Sequence, residues 1–369
     1  MRRFNIGIIG AGRFAQFSLQ MFAQVPGVSL YGLAATYPQG VERMRQRFGD
    51  LPVMEPEELV AKEEVDMVYI AAPPFLHYPM AMLALRAHKH VLCEKPLALS
   101  LQEADELLNE AKKRNLLIIT NLMQRYNPLY TAIAQLIQEK PLGELLRASF
   151  ENYAADEGLP PDHWFWNPNY SGGIFVEHGV HFFDLFEGWL GPGEVLCAQR
   201  ILRQEGIEEQ VRCTVRYRNV LVDFYHGFHQ ASRMDRQEMT LLFECGDVRL
   251  YEWVPCRGRL YALVDESATK HLCEIFPKHQ LSILELYDDA SRTYTSRFKK
   301  REACQKIELR FGDEVPKMQR YGELLKNLLT DQLQYLQDPS HPRRITEENG
   351  RSSLRYAIQA RDLASKGEP

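Results

Sequence analysis

The chain has no apolar run approaching the ~18 residues that a bilayer-spanning helix needs, so no membrane partner is expected. It also lacks a C-x-x-C pair, an internal repeat and any low-complexity tract. Its seven cysteines (Cys93, Cys197, Cys213, Cys245, Cys256, Cys273 and Cys304) are odd in number and scattered. That spacing argues against a disulfide framework or a thiolate metal site and predicts buried, small apolar side chains. A clustered basic face is missing too: the net charge is −5 and the pI near 6.2, so no nucleic acid partner is expected. The one basic run, "RFKKRE" at 297–302, reads as a solvated surface loop. The opening "MRRFNIGIIGAGRFAQFSLQMF" has the outline of a signal peptide, but Gly10, Gly12, Arg13 and Gln16 interrupt it. A strand, a turn and a helix account for all four, and the expected location is the cytoplasm.

What is present is an ordinary globular composition, 45% apolar and 25% charged, over 369 residues, a length that suggests two domains. "FNIGIIG", "VSLYGLAAT", "VDMVYIAAPP", "HVLCEKP" and "LLIITN" read as strands. Between them "FAQFSLQMFAQ", "PQGVERMRQRFG", "HYPMAMLALRAH" and "LSLQEADELLNEAKKRN" carry helical periodicity. Strand and helix in alternation predict a parallel, doubly wound sheet of Rossmann type at 1–120.

Within it, "GAGRFA" fits G-x-G-x-x-A between the first strand and helix. Gly10 permits a tight turn, Gly12 lets backbone approach a pyrophosphate, Ala15 lets the helix pack closely on the strand, and the helix amino end attracts phosphate. Arg13 and Phe14 complete the expected cofactor loop. The second strand ends in Ala35 and Thr36, where an aspartate would hold the ribose hydroxyls of NAD. Thr36 is taken as a cofactor contact, and NAD or NADP stays open, the missing acid favouring NADP. Arg43 and Arg45 fall later, on the following helix.

From about residue 145 the pattern changes to consecutive strand-like segments: "LLRASFENYAA", "EVLCAQRILR", "EQVRCTVRY", "VLVDFYHGFHQ", "EMTLLFECG" and "DVRLYEWV". Strands without helices between them predict an open, mainly antiparallel sheet in a second, α+β domain at 121–344. Residues 255–310 fit either an extension of that sheet or a separate flap. "KMQRYGELLKNLLTDQLQYLQ" is a long amphipathic helix, and "TEENGRSSLRYAIQARDLASK" is helical again from a capping Thr346.

"GGIFVEHGVHFFD" at 172–184 admits three readings: a metal pair, a core helix, or a catalytic helix. As an α-helix from about Phe175, it places Glu177, His181 and Asp184 on one face and His178 about 100° away. Glu177 and His181 lack a third ligand, and no metal is expected. "CEKPLALS" favours the catalytic reading, because Lys95 follows a parallel strand at the sheet's carboxyl edge. There it can stabilise negative charge on a substrate oxygen or lend a proton. Glu94 can accept hydrogen bonds from backbone or cofactor.

"IGIIGAGRFA", "AAPPFLH", "HVLCEKPLALS", "QRYNPLY", "GGIFVEHGVHFFD" and "HPRRITEENGRSSLRYAIQARDLA" together resemble the glucose-fructose oxidoreductase, inositol dehydrogenase and rhizopine catabolism protein (Gfo/Idh/MocA) family. The resemblance runs over nearly the whole chain except about 255–310. It implies a two-domain oxidoreductase using NAD or NADP on a sugar, polyol or related small carbonyl compound. It also implies that the carboxyl-terminal helix, about 345–369, packs back on the first domain, and that the second-domain sheet builds a homodimer or homotetramer. By position, Lys95 matches the family lysine that bonds the reacting hydroxyl, and His181 the general acid-base. His77, with Ala72 and Pro73 of the "AAPP" turn, matches the loop against the dinucleotide, and Arg125 a site-lining arginine. The family's aspartate four residues before the histidine is Glu177 here, assigned with them to the catalytic set; displacement of a catalytic group by ~1 Å can cost about a hundredfold in rate. His178 is a further departure that points toward substrate. Trp164, Trp166 and Tyr170 offer flat faces for a sugar ring, or else fill an apolar core. Two other outcomes compatible with the family are an NAD-dependent glycosidase and a catalytically weak dinucleotide-binding regulatory protein.

Overall fold

The computed structural model describes residues 3–35, 38–49, 51–156, 158–203 and 207–366. The amino-terminal part alternates as the sequence implies, through β1 (Phe4–Ile9), α1 (Arg13–Phe22), β2 (Val28–Ala34), α2 (Pro38–Phe48) and a short α3 (Pro56–Ala61). It continues with β3 (Met67–Ile70), α4 (His77–Arg86), β4 (His90–Cys93), α5 (Leu101–Arg114) and β5 (Ile118–Thr120). The five strands form one parallel sheet in the order β2-β1-β3-β4-β5. β3 and β5 are buried at every residue, as strands covered by helices on both faces must be. The order reverses beside β1, where open α/β sheets bind their ligands. Local chemistry starts and stops the helices: α5 begins with a reciprocal capping box between Ser100 and Glu103 and ends at Asn115 in the left-handed region.

The rest of the chain runs through α6 (Pro128–Glu139), β6 (Leu145–Ala154), α7 (Pro168–Ser171) and a π-helical turn, Phe175–Gly179, that continues into α8 (Val180–Leu190). Then follow β7 (Gly193–Leu202), β8 (Glu208–Tyr217), β9 (Val220–Phe228), β10 (Arg236–Phe243), β11 (Gly246–Tyr251) and β12 (Arg257–Val264). After them come α9 (Glu266–Ile275), β13 (His279–Leu286), β14 (Thr293–Ser296), β15 (Lys299–Glu302), β16 (Gln305–Gly312), α10 (Lys317–Gln337) and α11 (Glu347–Lys366).

The compact units are not contiguous in sequence. The first takes the described residues of Met1–Tyr126, Pro160–Asp184 and Tyr321–Asp362, the second those of Asn127–Leu159, Leu185–Arg320 and Leu363–Pro369. The stretch 121–344 is thereby shared between the two. Segments 160–184 and 321–362 join the first unit through long-range polar contacts such as Lys95 with Glu177 and Tyr126 with Asp331, which no local periodicity reveals.

The second unit holds a nine-stranded sheet ordered β13-β16-β12-β11-β10-β6-β9-β8-β7. Every neighbouring pair is antiparallel except β6 with β9. Alternation on β8 buries Val211, Cys213, Val215 and Tyr217 while Arg212 and Arg216 face water. Phe186 of α8 meets Phe224 of β9 edge-to-face at 5.2 Å, and Trp189 donates its indole N–H to the Tyr130 carbonyl.

In 255–310 the two readings of the sequence both apply, since β12, β13 and β16 extend the sheet while β14 and β15 form a separate hairpin. That hairpin corrects the loop expected at 297–302: Arg297 and Arg301 both pair with Glu244, which holds the basic run in a strand-and-turn conformation. The cysteines need correction as well. Cys93 and Cys213 are buried, but Cys197 is exposed and the other four are half-buried. At the start of α11 the cap also differs from expectation. Asn349 Oδ1 accepts from both the backbone N–H and the hydroxyl of Thr346, so Thr346 serves as donor.

In the first unit, α11 lies hard against the end of β5. A Cβ built on Gly350 would stand 2.0 Å from Thr120 Oγ1 and 3.3 Å from Leu97 Cβ. Gly350→Val is expected to destabilise the protein by about 1–3 kcal/mol through overpacking, measured by urea denaturation; an unchanged midpoint would show that the helix yields freely.

Candidate active site

The glycine loop after β1 has two glycines with different physical reasons. Gly10 has φ +118°, and a Cβ there would fall 2.2 Å from the Ala71 carbonyl oxygen, so packing against the end of β3 demands glycine. At Gly12 nothing lies within 4 Å of a built Cβ, so no protein atom among those described explains it. Open space above a helix amino end is what a pyrophosphate needs. The first turn of α1 has no side-chain cap and no acidic residue, which leaves its N–H groups for such an anion. Gln16 Nε2 donates to the Ala11 carbonyl and shapes the loop. Ala15 is buried beneath it, Arg13 is exposed, and Phe14 packs against Tyr321 with ring centroids 5.5 Å apart. Thr36 lies outside the described residues.

Two strand ends away, Glu94 and Lys95 follow β4 at the same carboxyl edge of the sheet. Glu94 is buried, and its Oε1 accepts from the Tyr69 hydroxyl at 2.7 Å and from Asn121 Nδ2 at 2.8 Å. Burial pushes its pKa up, against the lowering effect of those two bonds and of Lys95. His77 closes the other side. Its Nδ1 stands 2.6 Å from the Pro96 carbonyl and its Nε2 2.9 Å from the Ala72 carbonyl, so the ring ties the Ala72–Pro73 turn to the turn that carries Lys95. Burial lowers its pKa while the two carbonyls oppose that.

Lys95 Nζ donates to Glu177 twice, to Oε1 at 2.5 Å and to the backbone carbonyl at 2.7 Å. The segment that carries Glu177 departs from the α-helix expected from Phe175. Residues 175–179 form a π-turn, whose i→i+5 bonds widen the helix and break the 3.6-residue periodicity on which the one-face prediction rested. Gly172 (φ +83°) reverses the chain just before it, at a spot where a Cβ would sit 2.5 Å from Val176 Cγ1. The two carboxylates consequently serve different cations: Glu177 holds Lys95, whereas the wholly buried Asp184 takes a bidentate grip from Arg125, Nε to Oδ2 and Nη2 to Oδ1, both 2.8 Å.

His178 and His181 complete the cluster. Burial, then the charge of Lys95, depresses His178 to about 3, and the same two causes plus His178 hold His181 well below its usual value. Both imidazoles are neutral at pH 7. The structure therefore brings Lys95, Glu177, His178 and His181 within electrostatic reach of one another. Arg125, expected to line the site, has its guanidinium on Asp184. Of the aromatic residues, Trp166 is buried, Trp164 half-buried and Tyr170 exposed. Among the described residues no group of three or more His, Cys, Asp and Glu side chains is arranged to hold a metal ion, and no helix is long and apolar enough to cross a membrane. Sequence reasoning missed Tyr69 and Asn121 as the partners of Glu94; a lone hydroxyl in the fully buried strand "MVYI" was the available signal, since a buried tyrosine seeks a partner.

Residues 4–122 match the model of an oxidoreductase family with an NAD-binding Rossmann fold, and residues 130–249 match the carboxyl-terminal domain of the same family. The chain belongs to the Gfo/Idh/MocA family. Curated relatives include an uncharacterized oxidoreductase of Synechocystis sp., 32% identical over 203 residues and covering 53% of each chain. Another is a myo-inositol 2-dehydrogenase of Thermotoga maritima, 26% identical over 184 residues, 49% of this chain and 53% of the relative. The chain thus spans about half the length of these curated relatives. Among solved structures, a 3-ketoreductase from Actinomadura kijaniata in complex with NADP and TDP-benzene superposes with TM-score 0.74 at 19% identity, over 99% of this chain and 98% of that one. That likeness concerns the fold.

Two predictions follow from this Gfo/Idh/MocA site's electrostatics. Arg125→Ala leaves a buried carboxylate without its cation and is expected to cost about 3–5 kcal/mol by chemical denaturation. A loss below about 1 kcal/mol would mean that Asp184 is not held in this way. The histidines set the second. Their folded pKa values lie below the ~6.5 of an unfolded chain, so the unfolded state takes up protons that the folded state refuses. The stability they contribute is present above about pH 6.5 and is lost as pH falls toward 3. The melting temperature should drop between pH 7 and 5, and His178→Gln should make that drop shallower; parallel curves would contradict the assignment.

Proposed function

We propose that the chain is an NAD- or NADP-dependent dehydrogenase or reductase acting on a secondary alcohol or ketone of a sugar, polyol or related small molecule. The observation that carries this reading is the pairing of Lys95 with Glu177 beside two neutral histidines, at the carboxyl edge of the sheet that also bears the open glycine loop. Gly10, Gly12, Arg13, Phe14 and Ala15 would hold the dinucleotide, with Ala72, Pro73, His77, Glu94 and Lys95 along its far end. When bound, the nicotinamide supplies the acceptor or donor of hydride. Everything else falls to side chains. An ammonium has three N–H donors. Two of those on Lys95 go to Glu177, leaving the third for a substrate oxygen, where its charge stabilises an alkoxide. His181, kept neutral by burial, accepts the hydroxyl proton in oxidation and returns it in reduction. His178, Trp164 and Tyr170 would contact the substrate.

For the cofactor, the absence of an acid on β2 and the exposed Arg13 near the phosphate loop favour NADP. Glu177 also bears on the regulatory alternative: its reach to Lys95 at 2.5 Å keeps the lysine paired in spite of the longer side chain. A homodimer or homotetramer through the nine-stranded sheet would cover Leu221 and Leu242, exposed on strands that both register with Arg147 of β6. A cytoplasmic setting suits seven free cysteines.

The test is absorbance at the reduced-nicotinamide band across a panel of sugars and polyols with each cofactor. Turnover is expected with at least one pair. Lys95→Ala and His181→Ala should each reduce it by at least ~100-fold with the circular dichroism spectrum preserved. Near-normal turnover in either variant would overturn the roles assigned.

A further inference from the structure

Phe75 and Tyr170 are large apolar side chains that stay 37% and 45% exposed, and their ring centroids are 4.8 Å apart at 45°. Isolated surface aromatics are ordinary, but two adjoining exposed rings on segments that border a site offer flat faces that a ligand can cover. Phe75 lies in the turn Pro74–Leu76, two residues before His77, whose ring bonds the Pro96 carbonyl next to Lys95. Tyr170 lies in α7, directly before the Gly172 reversal that opens into the π-turn with Glu177. The pair therefore joins the turn that His77 ties to the Lys95 turn with the segment that leads into Glu177. Half-buried Trp164, six residues before Tyr170, packs against His163 with ring centroids 5.1 Å apart.

We infer that Phe75 and Tyr170 form a stacking platform for a flat group attached to the substrate beyond its reacting carbinol. Charge narrows the class. Neither 71–78 nor 160–184 contains a lysine or arginine, and the Arg125 guanidinium is held by Asp184. A phosphate-linked group would find no counter-charge on these segments, whereas a neutral aromatic ring finds two ring faces. The substrate class is accordingly a sugar or polyol conjugated to an uncharged planar ring, bound more tightly than the free carbohydrate. This rests on the dehydrogenase reading for the reacting end but makes a separate demand on binding.

The experiment is calorimetric titration of the intact protein, with NADH or NADPH present, using paired 4-nitrophenyl and methyl glycosides of glucose, galactose and N-acetylglucosamine. For at least one pair the nitrophenyl glycoside should bind about tenfold more tightly, a gain of the size that aromatic contacts give. Phe75→Ala should remove most of that preference and leave the methyl glycoside unchanged; Tyr170→Ala should also remove the preference, while Tyr170→Phe retains it. Equal affinity within every pair would overturn the inference, as would variants that weaken both members alike. Aryl preference without hydride transfer would keep the platform and remove the dehydrogenase reading. Hydride transfer from free polyols without aryl preference would do the reverse.

Discussion

The candidate site in the first unit is organised around one contact, the double acceptance of the Lys95 ammonium by Glu177. A lysine at the end of a parallel strand would otherwise extend into water, where its charge is screened and its rotamers are free. Held by a carboxylate and a carbonyl of the same residue, it becomes a fixed charge. Glu177 offers both acceptors from within the π-turn Phe175–Gly179, which opens three residues after the Gly172 reversal. The fixed charge then acts on its surroundings, adding to burial in keeping His178 and His181 neutral. Ion pair and proton affinity are thereby linked.

A second clamp supports the first. Arg125 grips Asp184 at the end of the same segment, and Asn349 adds a bond to Asp184 Oδ1 at 3.2 Å. Tyr126, next in sequence, donates to Asp331, which also faces His341 Nε2. These buried pairs tie 123–126, 175–184 and the two carboxyl-terminal helices into one unit. Buried ion pairs contribute little net stability against apolar substitutes, so their value lies in fixing geometry. His77 does the same for the other wall, bridging two turns through both ring nitrogens.

Much of this was legible in the sequence, for identifiable reasons. The Rossmann alternation shows because strand and helix periodicities differ sharply, and the strands quoted from 145 onward correspond to β6 through β11. α10 coincides with "KMQRYGELLKNLLTDQLQYLQ" because its apolar stripe is unbroken over 21 residues. Gly10 and Gly12 were identified, though only the structure separates the glycine that packing requires from the one it does not. The partner of Asp184 was not legible, since Arg125 is 59 residues away and nothing local couples them. The π-turn was hidden because its residues keep an apolar pattern that an α-helix would also satisfy. The mixed character of 255–310 reflects alternate use of its strands, some in the large sheet and some in a hairpin held by Glu244.

The central claim is that burial and the Lys95 charge keep the site's imidazoles neutral. Nitrogen-15 NMR of the histidine rings, titrated from pH 8 to 5 on the intact protein with His178→Gln and His181→Gln used to assign signals, measures this directly. The account predicts that the resonances of His178 and His181 stay at neutral-imidazole shifts down to pH 5 while exposed histidines titrate near 6.5. Protonation of His181 with a midpoint near 6.5 would contradict it, and would return the residue to an ordinary solvated histidine.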